Sequence, residues 1–248
     1  MKIRKTVDIV MTALLFCLMS YQVTGEKLHE WLGIGMTAAL IVHHILNIRW
    51  YGALFKGKYN AYRIITTIIN MVLLVSIALT AVCGMSMSGH AVPFLYGMLD
   101  MVFARTAHLA LSFWSFMLMG VHLGLHLPAI TAKIRPKKAA RLVFTCIFMV
   151  LAGIGFLLFI QNGIPGYITF RTHFAFFDYS KPAVLVFLEY LAIEFSFVFT
   201  GASVVRLIRS TNQKRQEKGN PLIPVVCIIL AVVIGLIPFC FHGGGRLV

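Results

Sequence analysis

The chain has 248 residues, of which 59% are hydrophobic and only 12% carry a charge. This is more apolar sequence than a soluble core needs, and it is typical of a protein with several membrane helices. The formal net charge of +14 therefore indicates basic loops that face anionic lipid headgroups of the bilayer, and no nucleic-acid partner is expected.

Seven apolar stretches follow one another along the chain, each close to the roughly 20 residues that cross a bilayer. A helix satisfies its backbone hydrogen bonds internally, so we expect all seven to be helical. The predicted fold is all-α, a polytopic membrane helix bundle with an N-terminal region at 1–135 and a three-helix C-terminal region at 136–248. The predicted spans are 6–22, 29–48, 64–84, 103–127, 142–161, 183–205 and 221–241.

The N-terminal span and the loops between spans predict the orientation. No cleavage site of the Ala-x-Ala kind follows the first span, so it is expected to remain as an anchor. If the N-terminus is cytoplasmic, 17 of the 22 Lys and Arg residues lie on the cytoplasmic side, as the positive-inside rule requires. The expected localisation is the cell membrane, multi-pass, with the N-terminus cytoplasmic and the C-terminus extracytoplasmic.

Two predicted spans each contain a pair of histidines 14 residues apart: His29 and His43 in the second span, His108 and His122 in the fourth. Fourteen residues advance a helix by roughly 21 Å and return to within about 40° of the same face. Each pair therefore places two imidazoles on one stripe, near opposite membrane surfaces. Because imidazole is a common haem ligand, the repeat predicts two haems. His29 and His108 would hold an outer haem, and His43 and His122 an inner one.

Two further histidines leave the ligands of the inner haem open. His44 is adjacent to His43 in the sequence. His126 lies 18 residues after His108, which is about five helical turns and returns to nearly the same face. Either residue is an alternative to its neighbour as the ligand.

Arginines at the ends of these spans are candidate partners of the haem propionates. Arg105 precedes His108 by three residues and is expected beside the outer haem, and Arg49 follows His43 by six residues and is expected beside the inner haem. The alternative for both is an interfacial anchor, since arginine at the end of a span extends its charge toward water.

Glycines accompany the histidines in both spans. Gly33 and Gly35 follow His29, and Gly120 and Gly124 flank His122. Small residues let a flat macrocycle approach the backbone, but they are also common where membrane helices touch. The sequence leaves both interpretations open.

The cysteines exclude several kinds of metal centre, because they form no C-x-x-C or C-x-x-C-H motif. Any haem is therefore expected to be non-covalent, that is, haem b. The sequence also has no nucleotide-binding loop and no catalytic Ser/His/Asp pattern, which indicates an electron-carrier subunit rather than a stand-alone enzyme. The cysteines are Cys17, Cys83, Cys146, Cys227 and Cys240.

Short motifs surround the four histidines: H-E-W-L-G at 29–33, H-H-I-L-N-I-R-W at 43–50, R-T-A-H at 105–108 and H-L-G-L-H at 122–126. With these motifs, residues 5–130 resemble the flavinylation-associated cytochrome family. The resemblance implies a b-type di-haem four-helix bundle in the membrane, associated with an extracytoplasmic flavin-carrying protein. The family has a serine and a glycine near the end of the third span. Cys83-Gly84 and Ser88-Gly89 are the candidates here.

The C-terminal region contains two carboxylates, Glu189 and Glu194, inside the sixth predicted span. A carboxylate there is costly unless it is protonated, paired or hydrated. The sequence therefore predicts either a proton path or quinone contact, or a neutral acid bonded to a neighbouring helix. The aromatic segment 162–182 is predicted to form an ordered cap on the membrane surface that docks a redox partner.

These features together predict a membrane electron-transfer cytochrome. It would take electrons from the quinone pool or a membrane dehydrogenase and pass them through both haems to an extracytoplasmic acceptor such as a flavoprotein. Two other classes remain as alternatives. One is a transporter that uses His and Glu for protons or metal, and the other is a haem-free structural membrane subunit.

Overall fold

The structure is a computed structural model that describes residues 2–57, 59–131 and 137–217. Over these segments the chain forms eight α-helices and one 3-10 turn at Pro93–Leu95, without strands. The all-α prediction is therefore confirmed for the described residues. The helices are α1 (Lys2–Met19), α2 (Tyr21–Leu46), α3 (Ile48–Leu54), α4 (Ala61–Met87), α5 (Met101–Ile130), α6 (Lys138–Gln161), α7 (Ile164–Ile168) and α8 (Ala183–Glu217).

Four of these helices, α4, α5, α6 and α8, are long and apolar enough to cross a membrane. Together α2 and α3 form a fifth candidate, bent by 58° where they meet. Many large apolar side chains on these helices point away from the protein, including Val75, Phe156 and Leu188, each more than half exposed. Exposed apolar surface of this extent requires lipid rather than water. The described helices are consistent with a multi-pass membrane protein.

The remaining predicted spans differ from this set. Helix α1 occupies the position of the first predicted span, but four charged residues lie among its 18 residues, and it is not among the apolar candidates. The predicted seventh span, 221–241, lies outside the described residues. The seven-span topology therefore stays a prediction.

Side-chain caps set where two of the long helices begin. Asn60 accepts a hydrogen bond from the backbone N–H of Arg63 at the start of α4, and Asp100 accepts one from Phe103 at the start of α5. Both bonds satisfy N–H groups that the first helical turn leaves free. In α2 the left-handed φ of +69° at Gly25 interrupts the helix near its start. Residues from Glu26 onward form the regular helix that carries His29 and His43.

The helices are arranged as two pairs and an added layer. Helix α1 packs along α2, and α4 packs along α5, whereas these two pairs touch each other sparsely. Helix α8 packs along another face of α5, and α6 packs on α8. The predicted C-terminal region is thus joined to the N-terminal region through α5 and α8.

The contact between α5 and α8 depends on glycine. A Cβ at Gly124 would lie 2.2 Å from the Val198 carbonyl oxygen, and one at Gly120 would lie 2.6 Å from Cβ of Phe197. These glycines therefore serve helix packing, and the prediction that they make room for a macrocycle is not needed to explain them. At Gly33, by contrast, a Cβ would meet nothing within 4 Å.

The predicted cap at 162–182 contains a short buried helix. Tyr167 on α7 stacks on Phe113 of α5, with ring centroids 5.1 Å apart, and the indole N–H of Trp114 donates to the Ile168 carbonyl over 3.1 Å. These contacts fix the segment to the end of α5 that carries His108. The chain then continues over this end before entering α8.

Candidate functional site

Helices α2 and α5 bring His29 and His108 together, and we call this pair the His29 site. The centroids of the two imidazole rings are 6.1 Å apart and their planes differ by 77°. Two imidazoles that bind one metal atom from opposite sides, with metal–nitrogen bonds of about 2 Å, have centroids roughly 6 Å apart. The spacing of the pair therefore suits bis-histidine ligation.

Helix α4 fixes the orientation of the His108 ring. Nδ1 of His108 donates to the Thr80 carbonyl oxygen over 2.9 Å. On the neighbouring turn, a Cβ at Gly84 would lie only 3.0 Å from Cε1 of the same ring. The carbonyl selects the tautomer with a free Nε2, and the glycine provides the space that the ring occupies.

Aromatic residues cover the His29 site. The ring of Tyr21 lies 5.1 Å from that of His29 and stacks on Phe177 at 5.4 Å. Nearby, the guanidinium of Arg105 lies 5.8 Å from the ring centroid of Phe174. Phe174 and Phe177 belong to the predicted cap, so the cap reaches the candidate site.

Arg105 and Nδ1 of His29 are not engaged by strong polar contacts among the described residues. Arg105 is exposed and, within the described residues, forms no ion pair, so its charge is available to a propionate. Nδ1 of His29 is buried and has no hydrogen bond of good geometry among the described residues, although the Leu18 backbone lies close enough to interact with this histidine.

The other four candidate histidines form the His43 site: His43, His44, His122 and His126. Adjacent rings touch in two pairs, with 5.4 Å between the centroids of His43 and His44 and 4.7 Å between those of His122 and His126. His43 is also near enough to His122 for their charges to interact. The structure thus brings the predicted inner ligands together with both alternatives.

The hydrogen bonds at Nδ1 distinguish these four histidines. His43 is bonded to the Asp8 carboxylate at 2.9 Å, and His122 to Oδ1 of Asn70 at 2.8 Å. These oxygens can only accept, so each Nδ1 carries the hydrogen and Nε2 is left free for a metal. His44 is bonded to a hydroxyl that can donate or accept. The pattern favours His43 and His122 over His44 and His126.

The histidine nitrogens of these sites suit a haem better than a single metal ion bound by protein ligands alone. The His29 site offers two imidazoles from different helices, 6.1 Å apart, whereas a structural zinc site needs four protein ligands and a catalytic one usually three. A haem supplies four nitrogens of its own and needs two axial ligands. Among the residues that the structure describes, one group of three has its ligand atoms within 4.8 Å of one another, namely Glu26, Glu30 and His90.

Glu30 in that group already has another role. Its Oε2 accepts hydrogen bonds from the Ser88 hydroxyl at 2.7 Å and from the backbone N–H groups of His90 and Ala91 at 2.8 and 2.9 Å. Its Oε1 accepts from the N–H of Gly89 at 3.2 Å. Glu30 therefore fastens the loop after α4 to α2, next to His29.

Sequence reasoning missed four side chains at the two sites: Glu30 next to His29, and Asp8, Tyr51 and Asn70 at the His43 site. A signal existed for two of them, since Asp8 and Asn70 are isolated polar residues within apolar stretches and such residues mark functional positions in membrane helices. Glu30 lies in the H-E-W-L-G motif at 29–33, but the motif alone does not indicate that its side chain holds a loop. Nothing in the sequence places Tyr51 beside His44.

The remaining candidate residues differ in their exposure. Arg49 is exposed on α3, beyond the bend, and His90 and His173 are exposed in loops. Cys83, in the candidate Cys83-Gly84 pair, is a free thiol. His242, Cys227 and Cys240 lie outside the described residues.

The two carboxylates of α8 have different surroundings. Glu189 forms an ion pair with Lys181 at 2.8 Å and accepts a hydrogen bond from Asn162 at 3.1 Å. Glu194 is buried against Gly120 of α5, and its Oε2 has no hydrogen-bond partner among the described residues. The ion pair explains how Glu189 is accommodated in the helix. For Glu194 both predicted interpretations stay open, namely a proton path or quinone contact, or a neutral acid.

Comparison of the chain with family models, with curated proteins and with solved structures finds no match. Membership of the flavinylation-associated cytochrome family therefore stays a prediction from the motifs.

Proposed function

We propose that this protein is a membrane electron-transfer cytochrome of the flavinylation-associated type, with two b-type haems. His29 and His108 would hold one haem, and His43 and His122 the other. Electrons would come from a quinol or a membrane dehydrogenase and leave to an extracytoplasmic acceptor such as a flavoprotein. The observation that carries the proposal is the His29 site, where two imidazoles from different helices lie 6.1 Å apart.

The surrounding residues support this proposal by what they do to the ligands. Thr80, Asn70 and Asp8 each accept a hydrogen bond from Nδ1 of one histidine, which orients the ring and raises the basicity of Nε2. The sparse contact between α1–α2 and α4–α5 leaves the helix pairs free to accommodate a flat group. A bound haem supplies one-electron redox chemistry, and the protein tunes it through ligands, hydrogen bonds and burial.

Electron flow toward the extracytoplasmic side is the direction we propose. A membrane that is negative inside favours moving one electron outward by about 2.3 kcal/mol per 100 mV for a full crossing. The cap over the His29 site, which contains Phe174 and Phe177, is the surface from which an external acceptor would be reached.

Absorption spectra and haem quantification test the proposal directly. Protein purified from haem-replete cells should contain two haems per chain, extractable with acidic acetone, with low-spin, six-coordinate spectra in oxidised and dithionite-reduced forms. Protein without haem would overturn the proposal, and one haem per chain would leave only one of the two sites.

Buried Glu194 favours proton transport as a second candidate function, because an unpaired carboxyl group inside a membrane helix is typical of proton pathways. Reconstituted vesicles with a pH-sensitive dye would test it. Proton flux in haem-free protein that is lost in Glu194→Gln would support transport, whereas flux equal to that of empty vesicles would exclude it.

A further inference from the structure

A cavity of about 380 Å³ opens where α2 and α3 meet α4. Its walls are aliphatic, including Ile48 and Leu74, with two exceptions: His44 and Tyr51. Small-molecule sites of roughly 300–1,000 Å³ typically combine an apolar lining with a few polar groups that orient the ligand. The cavity falls within this size range, and its lining is almost entirely apolar, with His44 and Tyr51 as the two residues that carry polar side-chain atoms.

The bend between α2 and α3 creates the cavity. At the end of α2 the His43 carbonyl accepts two hydrogen bonds from Asn47, one from its side chain over 2.8 Å and one from its backbone N–H over 3.1 Å. The chain then turns by 58°, and Tyr51 on α3 comes back beside His44. Its hydroxyl lies 2.7 Å from Nδ1 of His44.

This pair of side chains can present a donor and an acceptor in either tautomer of His44. If Nδ1 carries the hydrogen, Nε2 accepts and the Tyr51 hydroxyl donates. If Tyr51 donates to Nδ1, Nε2 carries the hydrogen and donates, and the phenolic oxygen accepts. The pair therefore suits a ligand oxygen that is a carbonyl in one state and a hydroxyl in another.

We propose that this cavity binds the ring of a lipid-soluble quinone, in both its quinone and its quinol forms. The aliphatic walls match the ring and its alkyl substituents, and the His44–Tyr51 pair matches the oxygen, whereas a lipid acyl chain would use only the walls. The cavity shares His44 with the His43 site, and the ring centroids of His44 and His43 are 5.4 Å apart. The inference rests on the proposed function, for which it identifies the electron donor.

Titration calorimetry with menadione tests this site in haem-loaded protein held in phosphatidylcholine nanodiscs, with empty nanodiscs as the blank for partitioning. Wild-type protein should show saturable binding at one site. Leu74→Trp fills the cavity and should weaken binding by at least about tenfold, because the larger side chain occupies the space of the ring. Tyr51→Phe removes one hydrogen-bonding group and should weaken it about threefold to tenfold.

Matched variants control for general effects on the protein. Leu79→Trp places the same bulky residue on the exposed face of α4, and Tyr62→Phe removes a part-buried hydroxyl that is bonded elsewhere, to the Leu125 carbonyl. Both should bind menadione like the wild type. Equal binding by the Leu74→Trp and Leu79→Trp proteins, or heat that never saturates, would overturn the proposal in favour of lipid in the cavity.

Haem content, measured on the same preparations, separates this inference from the proposed function. Two haems without saturable menadione binding would overturn the quinone site alone. Saturable binding by a chain that holds no haem would overturn the cytochrome proposal alone. Loss of a haem in His44→Leu would show that the cavity belongs to a haem, and would also overturn the quinone assignment.

Discussion

The two histidine sites differ in how completely the protein determines their ligands. In the His29 site, one histidine from α2 meets one from α5, and aromatic residues of the cap cover them. In the His43 site, four histidines gather from the same two helices, and adjacent rings touch each other. The first site offers one choice of ligand pair, and the second offers several.

Hydrogen bonding reduces the choice at the His43 site. His43 and His122 each face an oxygen that only accepts, so their Nε2 atoms are ready to bind a metal. His44 is hydrogen-bonded to Tyr51, and both residues line the cavity where α2 and α3 meet α4. Residues next to each other in the sequence can thus have different roles, because consecutive helical positions point in directions about 100° apart.

Removing a ligand should have the largest effect. His108→Ala should lose the haem of the His29 site and keep the other, and His122→Ala should do the reverse, because a single imidazole holds haem poorly. Haem per chain and reduced-minus-oxidised spectra measure both outcomes. The exposed His173, changed to alanine, should retain two haems. Retention of both haems in His122→Ala but not in His126→Ala would show that His126 is the ligand.

The next largest effect should come from Asn70→Leu, which removes the acceptor for Nδ1 of His122. Loss of such a supporting hydrogen bond typically costs about 10–100-fold in affinity for the metal group. The His43 site should therefore lose its haem on dilution or during competition with apomyoglobin. Asn70→Asp keeps an acceptor oxygen and should restore retention. Equal loss rates for the Leu and Asp variants would contradict the role given to this bond.

A steric change at Gly84 should affect only the His29 site. The side chain of Val at this position would press on the His108 ring, because its Cβ would lie only 3.0 Å from Cε1 of that ring, and overpacking of this kind costs about 1–3 kcal/mol. The amount of haem in the His29 site should fall. It is measured from the absorption signal that is missing in His108→Ala. Gly153→Val on α6, where a Cβ meets nothing within 4 Å, is the matched control and should keep both haems.

The smallest effect should follow from releasing the loop that Glu30 holds. Glu30→Ala removes an acceptor shared by one hydroxyl and three backbone N–H groups, and we expect a loss of about 1–2 kcal/mol in unfolding free energy. Hydrogen exchange should accelerate at residues 89–91. Glu26→Ala, an exposed carboxylate on the same helix, should leave that exchange unchanged. Unaltered hydrogen exchange in Glu30→Ala would contradict the role of Glu30 in holding this loop.

Much of the helical layout could be predicted from sequence, since the described long helices coincide with six of the predicted spans. The contact between His29 and His108 was predicted from the 14-residue spacing that occurs in both helices. The glycines show the limit of this reasoning. Gly33 and Gly124 look alike in sequence, yet one has open space beside it and the other touches α8.

Local sequence determined what depends on neighbouring residues along the chain: the apolar composition that requires lipid, the helical segments, and the stripes on which the histidines lie. Only the tertiary structure decided which oxygen each Nδ1 faces, as with Thr80 for His108 and Asn70 for His122. Those partners lie 28 and 52 residues away. The physical reason is that a helical period fixes the direction of a side chain relative to its own axis, whereas its partner depends on how separate helices pack.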